Sequence, residues 1–441
     1  MTKEQFTRTV SSFISRHRLL QTDGQYLVAL SGGADSVALL LVLKSMGYEV
    51  EAVHCNFHLR GEESDRDEQF VVSLCERHGV KLHRIHFDTR AYAQLHHVSI
   101  EMAARELRYR YFEQLRQDLA MNAVCVAHHR DDVVETVLMN LMRGTGLRGL
   151  QGIRPQNGNI VRPLLSVWRK DIEDYLSACQ ETFVTDSTNA QDDYVRNSIR
   201  LHVVPLLNSI QPAASNNIFE TTQHVADALT VYDEGIARQR MEAVTEDADG
   251  RLTIDLSAVR SESLLFEVLK EKGFTNIQDY RDMVAGGTGK LFSSDSHDMV
   301  MDRGRLIVEP KKEAVKPLVV PEAGTYRLSD GERLTFDVFE RTTGFVPSKD
   351  AACAHVDASQ VRFPLTVRRV QEGDRFVPFG MNGHRLVSDL LTDQKVNVLD
   401  KRKSLVVCDA TGDIVWLVGY RTGQRFRVTG ETTTILSIHR Q

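Results

Sequence analysis

The sequence contains no pair of cysteines with C-x-x-C spacing, which limits the metal and redox chemistry that it can carry. Its six cysteines are far apart, and most lie in apolar runs, as Cys125 does in Ala-Val-Cys-Val-Ala. That placement is typical of buried free thiols in a reducing compartment. An iron–sulfur cluster would need cysteines that are more closely grouped, so the sequence does not predict one.

Long apolar stretches are also missing. No segment approaches the roughly 18 apolar residues that a membrane-spanning helix needs. The N-terminal stretch Met1 to Leu20 mixes charged and apolar residues at helical spacing, without the continuous apolar segment of a signal peptide. Together with the free thiols, these absences predict a cytoplasmic protein that does not associate with a membrane.

The net charge of −6 does not by itself suggest a nucleic-acid partner. The charge is unevenly distributed, however: residues 361–441 hold 13 basic and 8 acidic residues, a local charge of +5 that leaves −11 elsewhere. A basic C-terminal segment on an acidic body favours an anionic partner at that end. A solvated surface with a chance excess of basic residues would give the same count.

Strand-like and helix-like segments alternate through the first half of the chain. The predicted strands are 26–30, 50–54, 81–87 and 123–127, and the predicted helices are 37–46, 65–78, 101–119 and 131–143. This alternation indicates an α/β, Rossmann-like fold with a parallel sheet covered by helices on both faces. Because ligands bind beyond the carboxyl ends of such strands, the loops that follow them should carry the function.

The pattern changes after residue 212. A long helix is predicted from Ile218 to Val244, and the region up to about Val308 mixes helices with a few short strands. Farther on, apolar runs flank turn signals such as Ser329-Asp330-Gly331, which predicts hairpins. We therefore predict a catalytic domain at 1–212, a mainly helical middle domain at 213–312, and a β-rich segment with a basic C-terminal domain at 313–441.

The first functional motif, Ser31-Gly32-Gly33-Ala34-Asp35-Ser36, lies between a predicted strand and a predicted helix. Two glycines allow a tight turn that brings amide groups to phosphate oxygens, and the helix N-terminus adds partial positive charge. The hydroxyls of Ser31 and Ser36 can donate as well. Because the loop lacks the lysine of a Walker A motif, it fits cleavage of ATP at the α-phosphate, with pyrophosphate leaving as a unit.

Carboxylates cluster at the same edge of the predicted sheet. Asp35 lies beside the phosphate loop, where a carboxylate is expected if Mg²⁺ lies between it and the phosphates. Asp131, Asp132 and Glu135 follow the fourth strand. Asp131 or Asp132 could simply cap the helix, but three carboxylates in five residues fit metal or base chemistry better. We predict that Asp35 and Asp131 bind Mg²⁺; which of Asp131 and Asp132 is the base stays open.

The loop Ser-Gly-Gly-x-Asp-Ser resembles the PP-loop of the ATP-pyrophosphatase superfamily, and further motifs narrow the resemblance to the tRNA(Ile)-lysidine synthetases. These motifs follow one another in the order of that family over nearly the whole chain: Val53 to Arg60 with Ser64 and Asp67, Glu101 to Tyr109, Ala127 to Thr136, Arg143-Gly-Thr-Gly, Arg162-Pro-Leu-Leu, Asp186 to Arg200, and Val367 to Val396. One departure is Leu386-Val387-Ser388, where the family pattern is more basic.

The resemblance implies a reaction. ATP adenylates the C2 oxygen of cytidine 34 in an isoleucine tRNA with a CAU anticodon, and the ε-amino group of free L-lysine displaces AMP. The product, lysidine, pairs with A, so that the tRNA reads AUA. ATP and Mg²⁺ are the implied cofactors, and the tRNA and L-lysine are the implied partners. The oligomeric state stays open, a homodimer included.

The resemblance also implies roles for individual residues. Asp35, Asp131, Asp132 and Arg196 are expected to be catalytic, with Arg196 and Arg200 on the α-phosphate or the flipped cytosine. Residues expected to join the loop in binding ATP are His54, His58, Arg108 and His128. Residues expected to bind the substrates are Arg105, Glu135, Asn197 and Arg200, and in the C-terminal segment Arg368, Arg369, Arg375, Lys401, Lys403 and Arg425.

Two other functions compete with this interpretation. A tRNA 2-thiocytidine-type thiolase of the same superfamily would be expected to have paired cysteines, which this chain lacks. A non-catalytic RNA-binding protein on an inherited nucleotide fold would have no need of the carboxylates beside an intact phosphate loop. Exchange of pyrophosphate into ATP would separate an enzyme from such a binder.

Overall fold

The structure is a computed structural model of the chain, and it describes residues 1–185, 195–276, 281–282, 287, 289–312, 315–329 and 331–441. It contains two compact units, Met1–Tyr232 and Asp233–Gln441. The boundary between them falls inside one long helix, α11 (Ala214–Ala243). The three-domain division drawn from the sequence therefore stays a prediction.

The first unit is built on one six-stranded sheet. Its strands are β1 (Gln25–Ala29), β2 (Glu49–Asn56), β3 (Leu82–His86), β4 (Ala123–Cys125), β5 (Gln156–Asn157) and β6 (Ile160–Val161). They lie in the order β3-β2-β1-β4-β6-β5, and every pairing is parallel except that of β5 with β6. This is the Rossmann-like α/β sheet that the alternation of strands and helices predicted, so that prediction is confirmed.

Helices connect these strands and cover the sheet. They are α1 (Lys3–His17), α2 (Ala34–Ser45), α3 (Glu62–Arg77), α4 (Thr89–His96), α5 (Ile100–Asp118), α6 (Arg130–Met142), α7 (Leu147–Leu150), α8 (Arg169–Ala178), α9 (Val195–Ser198), α10 (Val204–Ile210) and the first part of α11. A 3-10 turn spans Pro163–Ser166, and a π-helical turn spans Ile199–Val203. In the part of the chain that the structure describes, no helix is long and apolar enough to cross a membrane.

The sequence of α2 explains why the phosphate loop is held rigidly. Apolar residues occupy nearly every face of this helix, and Val37, Leu39 and Leu43 are fully buried between the sheet and α8. A stack of the Phe6 and Tyr175 rings, 4.3 Å between centroids, fastens α1 to α8. The loop before α2 therefore starts from a strand and a helix that are both fixed in the core.

The second unit begins with a five-stranded antiparallel sheet. Its strands are β7 (Val244–Glu246), β8 (Leu252–Asp255), β9 (Leu291–Ser293), β10 (His297–Asp302) and β11 (Arg305–Pro310), in the order β7-β8-β11-β10-β9. Helix α12 (Glu262–Glu271) packs on it through Leu264 and Leu269. Strands and helices both supply this core, since Leu252 and Ile254 of β8 pack with the buried residues of α12. The mainly helical middle domain drawn from the sequence stays a prediction.

Two further sheets enclose the C-terminal core. One contains β12 (Leu318–Val320), β16 (Leu365–Arg369), β19 (Leu405–Cys408), β20 (Ile414–Leu417) and β21 (Arg421–Thr422), in that order. The other has the order β13-β14-β22-β15 and is formed by β13 (Gly324–Arg327), β14 (Arg333–Glu340), β15 (Cys353–Asp357) and β22 (Thr434–Arg440). The remaining elements are a small ribbon of β17 (Arg375–Phe376) and β18 (Arg385–Leu386), and helices α13 (Val387–Asp393) and α14 (Val398–Lys403).

Strand β22 decides how the C-terminal segment is organised. It pairs with both β14 and β15, although it is the last strand of the chain. Likewise, β16 pairs with β12, which precedes residue 361. The basic segment 361–441 is therefore not separable from residues 318–357, because its removal would take β16, β19, β20 and β21 out of one sheet and β22 out of the other.

We predict that Ile438→Ala in β22 destabilises the second unit. Ile438 is fully buried, and its truncation should lower the free energy of unfolding by about 2–5 kcal/mol. Urea unfolding can be followed by the fluorescence of Trp416 in a Trp168→Phe background. Ile210→Ala is the matched control, since Ile210 is 74% exposed. Equal midpoints for the two variants would contradict the central position of β22.

Candidate active site

The phosphate loop connects the end of β1 to the first turn of α2. Gly32 has a φ of 91°, and a Cβ at this position would lie 2.8 Å from Cγ2 of Val184, so neither the conformation nor the space admits a side chain. Gly33 is the N-cap residue of α2 and has no side chain to cap the helix. The first amides of α2 are therefore available to an anion, as the sequence predicted from the motif.

The two serines of the loop stabilise its shape. The Oγ atoms of Ser31 and Ser36 lie 3.2 Å apart, and the Ser36 hydroxyl donates to the Gly33 carbonyl oxygen at 2.9 Å. The Ser31 amide donates to the Ser36 hydroxyl at 3.2 Å. These bonds pull the loop into a closed turn around the position where phosphates would bind.

Asp35 lies in the first turn of α2, and its carboxylate is close to two positively charged or protonatable side chains, those of Arg169 and His129. Its Oδ1 accepts a hydrogen bond from Nη1 of Arg169 at 2.7 Å and lies 3.6 Å from Nε2 of His129. Burial raises the pKa of Asp35 above its ordinary value, against the opposing charges of His129 and Arg169. The carboxylate therefore depends on positive charge near it to stay ionised.

His129 lies at the centre of the site, with three carboxylates around its imidazole ring. Its Nδ1 is 3.2 Å from Oδ2 of Asp131, and its Nε2 is 3.5 Å from Oδ2 of Asp132 and close to Asp35. The ring is buried, and this burial opposes protonation; the three carboxylates together outweigh it and raise the pKa of His129. His129 had no predicted role, although only Arg130 separates it from the predicted aspartates.

Asp131 and Asp132 have different partners. Oδ2 of Asp131 accepts from the backbone amide of Arg169 at 2.8 Å, whereas Asp132 accepts from the His129 amide at 2.9 Å and from Nη2 of Arg196 at 2.8 Å. Burial tends to raise the pKa of both carboxyl groups, but hydrogen bonds to Asp131 and the positive charges around Asp132 prevail and lower it. Both groups are therefore ionised near neutral pH.

The arrangement of the carboxylates bears on the predicted Mg²⁺ ligands. Asp35 and Asp132 both face Nε2 of His129, while Asp131 faces Nδ1 on the other side of the ring. Among the described residues, no group of three or more His, Cys, Asp or Glu side chains has the geometry of a metal site. Asp132 therefore lies on the same side of the His129 ring as Asp35, whereas Asp131 lies on the other side. That Asp35 and Asp131 bind Mg²⁺ stays a prediction.

Glu135 extends the same network along α6. Its side chain is 3% exposed, and its two oxygens accept from Nε of Arg196 and Nε of Arg200, each at 2.7 Å. A buried carboxylate needs such charged partners, because leaving it unpaired would be costly. Glu135 thus holds both arginines at the site, with Asn197 in the same stretch of chain. The motif at Asp186–Tyr194 lies outside the described residues.

Arg169 is the residue that sequence reasoning missed altogether. It begins α8 and connects α2 to α6, since its guanidinium binds Asp35 and its amide binds Asp131. It also bonds Glu173 within α8 at 3.0 Å. No local pattern distinguishes it from other arginines that start helices; 134 residues separate it from Asp35.

The other residues predicted to bind ATP fall into two groups. His54 and His128 lie beside the site: Nδ1 of His54 bonds the Leu30 carbonyl oxygen at 2.8 Å, and Nδ1 of His128 accepts from Nε of Arg162 at 3.3 Å. Burial lowers the pKa of His128 to about 4, so its ring is neutral.

His58 and Arg108 form the second group and lie around the end of β2 and the face of α5, together with Arg105, which was predicted to bind the substrates. Nε2 of His58 is 2.8 Å from Nδ1 of His86, and the Arg108 guanidinium stacks 5.1 Å from the centroid of Phe57. Arg105 stacks on Tyr109 in the same way, at 4.9 Å. These three side chains therefore contact aromatic or imidazole rings, and they do not belong to the carboxylate network around His129.

Most of the predicted tRNA contacts in the second unit are held by other side chains. Arg368 bonds Asp374 at 2.8 Å, Lys403 pairs with Glu309, and Arg425 pairs with Asp413. Lys401 donates to Oγ1 of Thr392 at 2.6 Å, and Nε of Arg369 is buried. Arg375 is exposed. Much of the positive charge counted in the sequence is thus compensated within the fold.

Comparison with protein-family models divides the chain into three matched regions. Residues 2–207 match the PP-loop domain, residues 248–311 match the TilS substrate binding domain, and residues 365–438 match the TilS substrate C-terminal domain. The first match covers the sheet and the carboxylate network described above.

Curated relatives match over the whole length. The tRNA(Ile)-lysidine synthase of Parabacteroides distasonis is 46% identical, with 98% of this chain and 99% of the relative aligned. The enzymes of the same name from Bacteroides thetaiotaomicron and Dehalococcoides mccartyi are 43% and 30% identical, with 97% and 98% of this chain covered and 98% of each relative. The resemblance found in the motifs is confirmed: the chain belongs to the tRNA(Ile)-lysidine synthase family.

Proposed function

We propose that the chain joins free L-lysine to C2 of cytidine 34 in the CAU anticodon of tRNA(Ile), and that it does so in the cytoplasm. ATP would be converted to AMP and pyrophosphate through an adenylated cytidine. The observation that carries the proposal is the network of three carboxylates around the buried ring of His129, directly beside the phosphate loop. Membership in the family supports the identity of the substrates.

In the first step, the loop binds the phosphates of ATP. The amides at the start of α2 and the hydroxyls of Ser31 and Ser36 are the donors, and the helix N-terminus adds its partial charge. Arg196 and Arg200, which Glu135 holds in place, would neutralise the α-phosphate as cytidine attacks it. The exposed part of each arginine leaves room for such a contact, since 36% and 39% of their side chains are accessible.

The carboxylates of Asp35 and Asp132 fit a divalent cation, because both are hard oxygen donors on the same side of His129. When bound, Mg²⁺ would neutralise negative charge on the departing pyrophosphate. In the present arrangement Arg169 supplies the positive charge that Asp35 needs.

In the second step, the lysine amine must lose a proton, because its ordinary pKa is about 10.4. Asp131 and Asp132 are ionised and lie in the first turn of α6, so either can orient the ammonium group and take up that proton. His129, between them, keeps both carboxylates in place through its ring and its amide.

Two of the cysteines are poorly suited to thiolation, the alternative reaction. Burial raises the pKa of Cys55 to about 12 and that of Cys75 to about 11, so neither is a thiolate at neutral pH. Sulfur transfer needs a reactive thiolate or a metal cluster. Cys55 and Cys75 stay protonated, and they are not paired in the sequence as cluster ligands would be.

We predict that Asp35→Ala abolishes AMP formation with little effect on folding. Loss of the carboxylate that would hold Mg²⁺ beside the phosphates should lower the rate by roughly 10²–10³-fold or more. AMP release is measured with tRNA, lysine and Mg²⁺ present, and a thermal melt checks the fold. Glu173→Ala is the matched control, since it removes the other carboxylate that Arg169 binds. AMP formation near the wild-type rate in Asp35→Ala would refute this role.

We also predict that Asp131→Asn and Asp132→Asn slow lysine transfer. A lost proton acceptor typically costs about 10²–10⁴-fold in rate, and Asn keeps the shape of the side chain. Label from radioactive lysine is counted in the tRNA, and adenylated tRNA should accumulate in the variant that lacks the acceptor. Asp118→Asn, at an exposed position of α5, is the control. Undiminished transfer in both variants would exclude the two aspartates from proton handling.

A further inference from the structure

A cleft of about 450 Å³ lies in the second unit, and the proposed reaction assigns no role to the residues that line it. Phe379 belongs to the motif Val367 to Val396, whereas Lys349, Arg421 and Arg427 lie outside the motifs. Its walls are the segment Pro347–Cys353 before β15, the segment Gly419–Thr422 around β21, and the side chains of Phe379 and Arg427. The volume is in the range of roughly 300–1,000 Å³ that small-molecule sites have, and it suits one nucleotide.

Three cations line this cleft without being compensated. Lys349, Arg421 and Arg427 are exposed, and within the described ranges none of them forms an ion pair. Elsewhere in the unit, Arg368 and Arg425 have carboxylate partners. The cleft thus gathers positive charge that the fold has not used, which is the electrostatic property of a phosphate-binding surface.

The acidic residue in the lining does not cancel this charge by pairing. Oδ1 of Asp350 accepts from the backbone amide of Ala352 at 2.9 Å, and the Asp350 amide donates to the Ser348 hydroxyl at 3.1 Å. These bonds close the turn that carries Lys349. Asp350 is therefore a structural residue of the wall.

An aromatic surface completes the cleft. Phe379 is 49% exposed, and its backbone amide donates to the Thr422 carbonyl oxygen at 2.8 Å, which fixes its place beside β21. Tyr420 lines the same cleft, and the buried Trp416 supports its floor. A half-exposed phenylalanine next to unpaired cations is the combination on which single-stranded nucleic acids stack.

We propose that this cleft binds an unpaired nucleotide of the tRNA strand, with its base against Phe379 and its phosphates near Lys349, Arg421 and Arg427. The proposal rests on the proposed function, since that function supplies the tRNA. An unpaired nucleotide fits better than a duplex, because the bases of a double helix are stacked on each other and cannot present a face to Phe379.

The test compares two variants of the full-length protein. In Arg421→Ala/Arg427→Ala, two phosphate contacts are lost; affinity for tRNA should fall by about tenfold or more, and the slope of log K against log salt should flatten by about 1.4, at ~0.7 per phosphate of a single strand. In Phe379→Ala, affinity should also fall by about tenfold, but the salt slope should stay unchanged, because stacking releases no counterions.

The matched control is Arg385→Ala/Arg440→Ala, which removes the same charge from two arginines that pair with Asp393 and Glu332. It should bind tRNA within about twofold of the wild type, because paired surface charges contribute little. A thermal melt verifies that each variant is folded. Binding of ATP should be the same in all of them, since the phosphate loop is in the first unit.

Three probes identify the occupant: the tRNA, a short single-stranded oligoribonucleotide and a hairpin of equal length. The proposal requires that Phe379→Ala weakens the single strand more than the hairpin. It is overturned if the cleft variants bind tRNA as the control does, if the hairpin is affected equally, or if ATP displaces the single strand, which would make this a site for free nucleotides. Failure of the wild type to transfer lysine would instead refute the proposed function, whatever the RNA titrations show.

Discussion

The partial or full burial of four carboxylates at one edge of the sheet is the constraint on which the catalytic unit depends. Such groups must be paired or must lose their charge, because the interior solvates them poorly. The fold supplies the charges from elements that are far apart in the sequence. The carboxylates are Asp35, Asp131, Asp132 and Glu135, and their partners are His129, Arg169, Arg196 and Arg200.

This pairing also organises the backbone around the phosphate loop. Arg169 binds the side chain of Asp35 on α2 and, through its amide, the side chain of Asp131 on α6, so that α8 connects two helices that start at the same edge of the sheet. A substrate or cation that displaced Arg169 from Asp35 would also disturb the contact of Arg169 with Asp131, because one residue makes both contacts. The site therefore presents both signs of charge beside the phosphate loop, on side chains that share their partners.

In the second unit, ion pairs decide which basic residues stay available to an anion. Arg368 and Lys403 lie in the basic segment but are held by Asp374 and Glu309, whereas the cations of the cleft beside Phe379 form no ion pair with any residue that the structure describes. A charge count along the sequence cannot separate these cases. Net charge indicates that an anionic partner is plausible, and the pairing indicates where such a partner could bind.

The sequence by itself determined the parallel sheet, the phosphate loop and the aspartates that follow the fourth strand, because each depends on local order: a strand, a glycine turn that only a residue without a side chain can make, and the start of a helix. It did not predict that His129 would separate three carboxylates or that Arg169 would connect two helices. Nor did it predict that β22 would pair with β14 and β15. These features were decided by the tertiary structure, since they join residues that only the packing of distant elements brings within hydrogen-bonding distance.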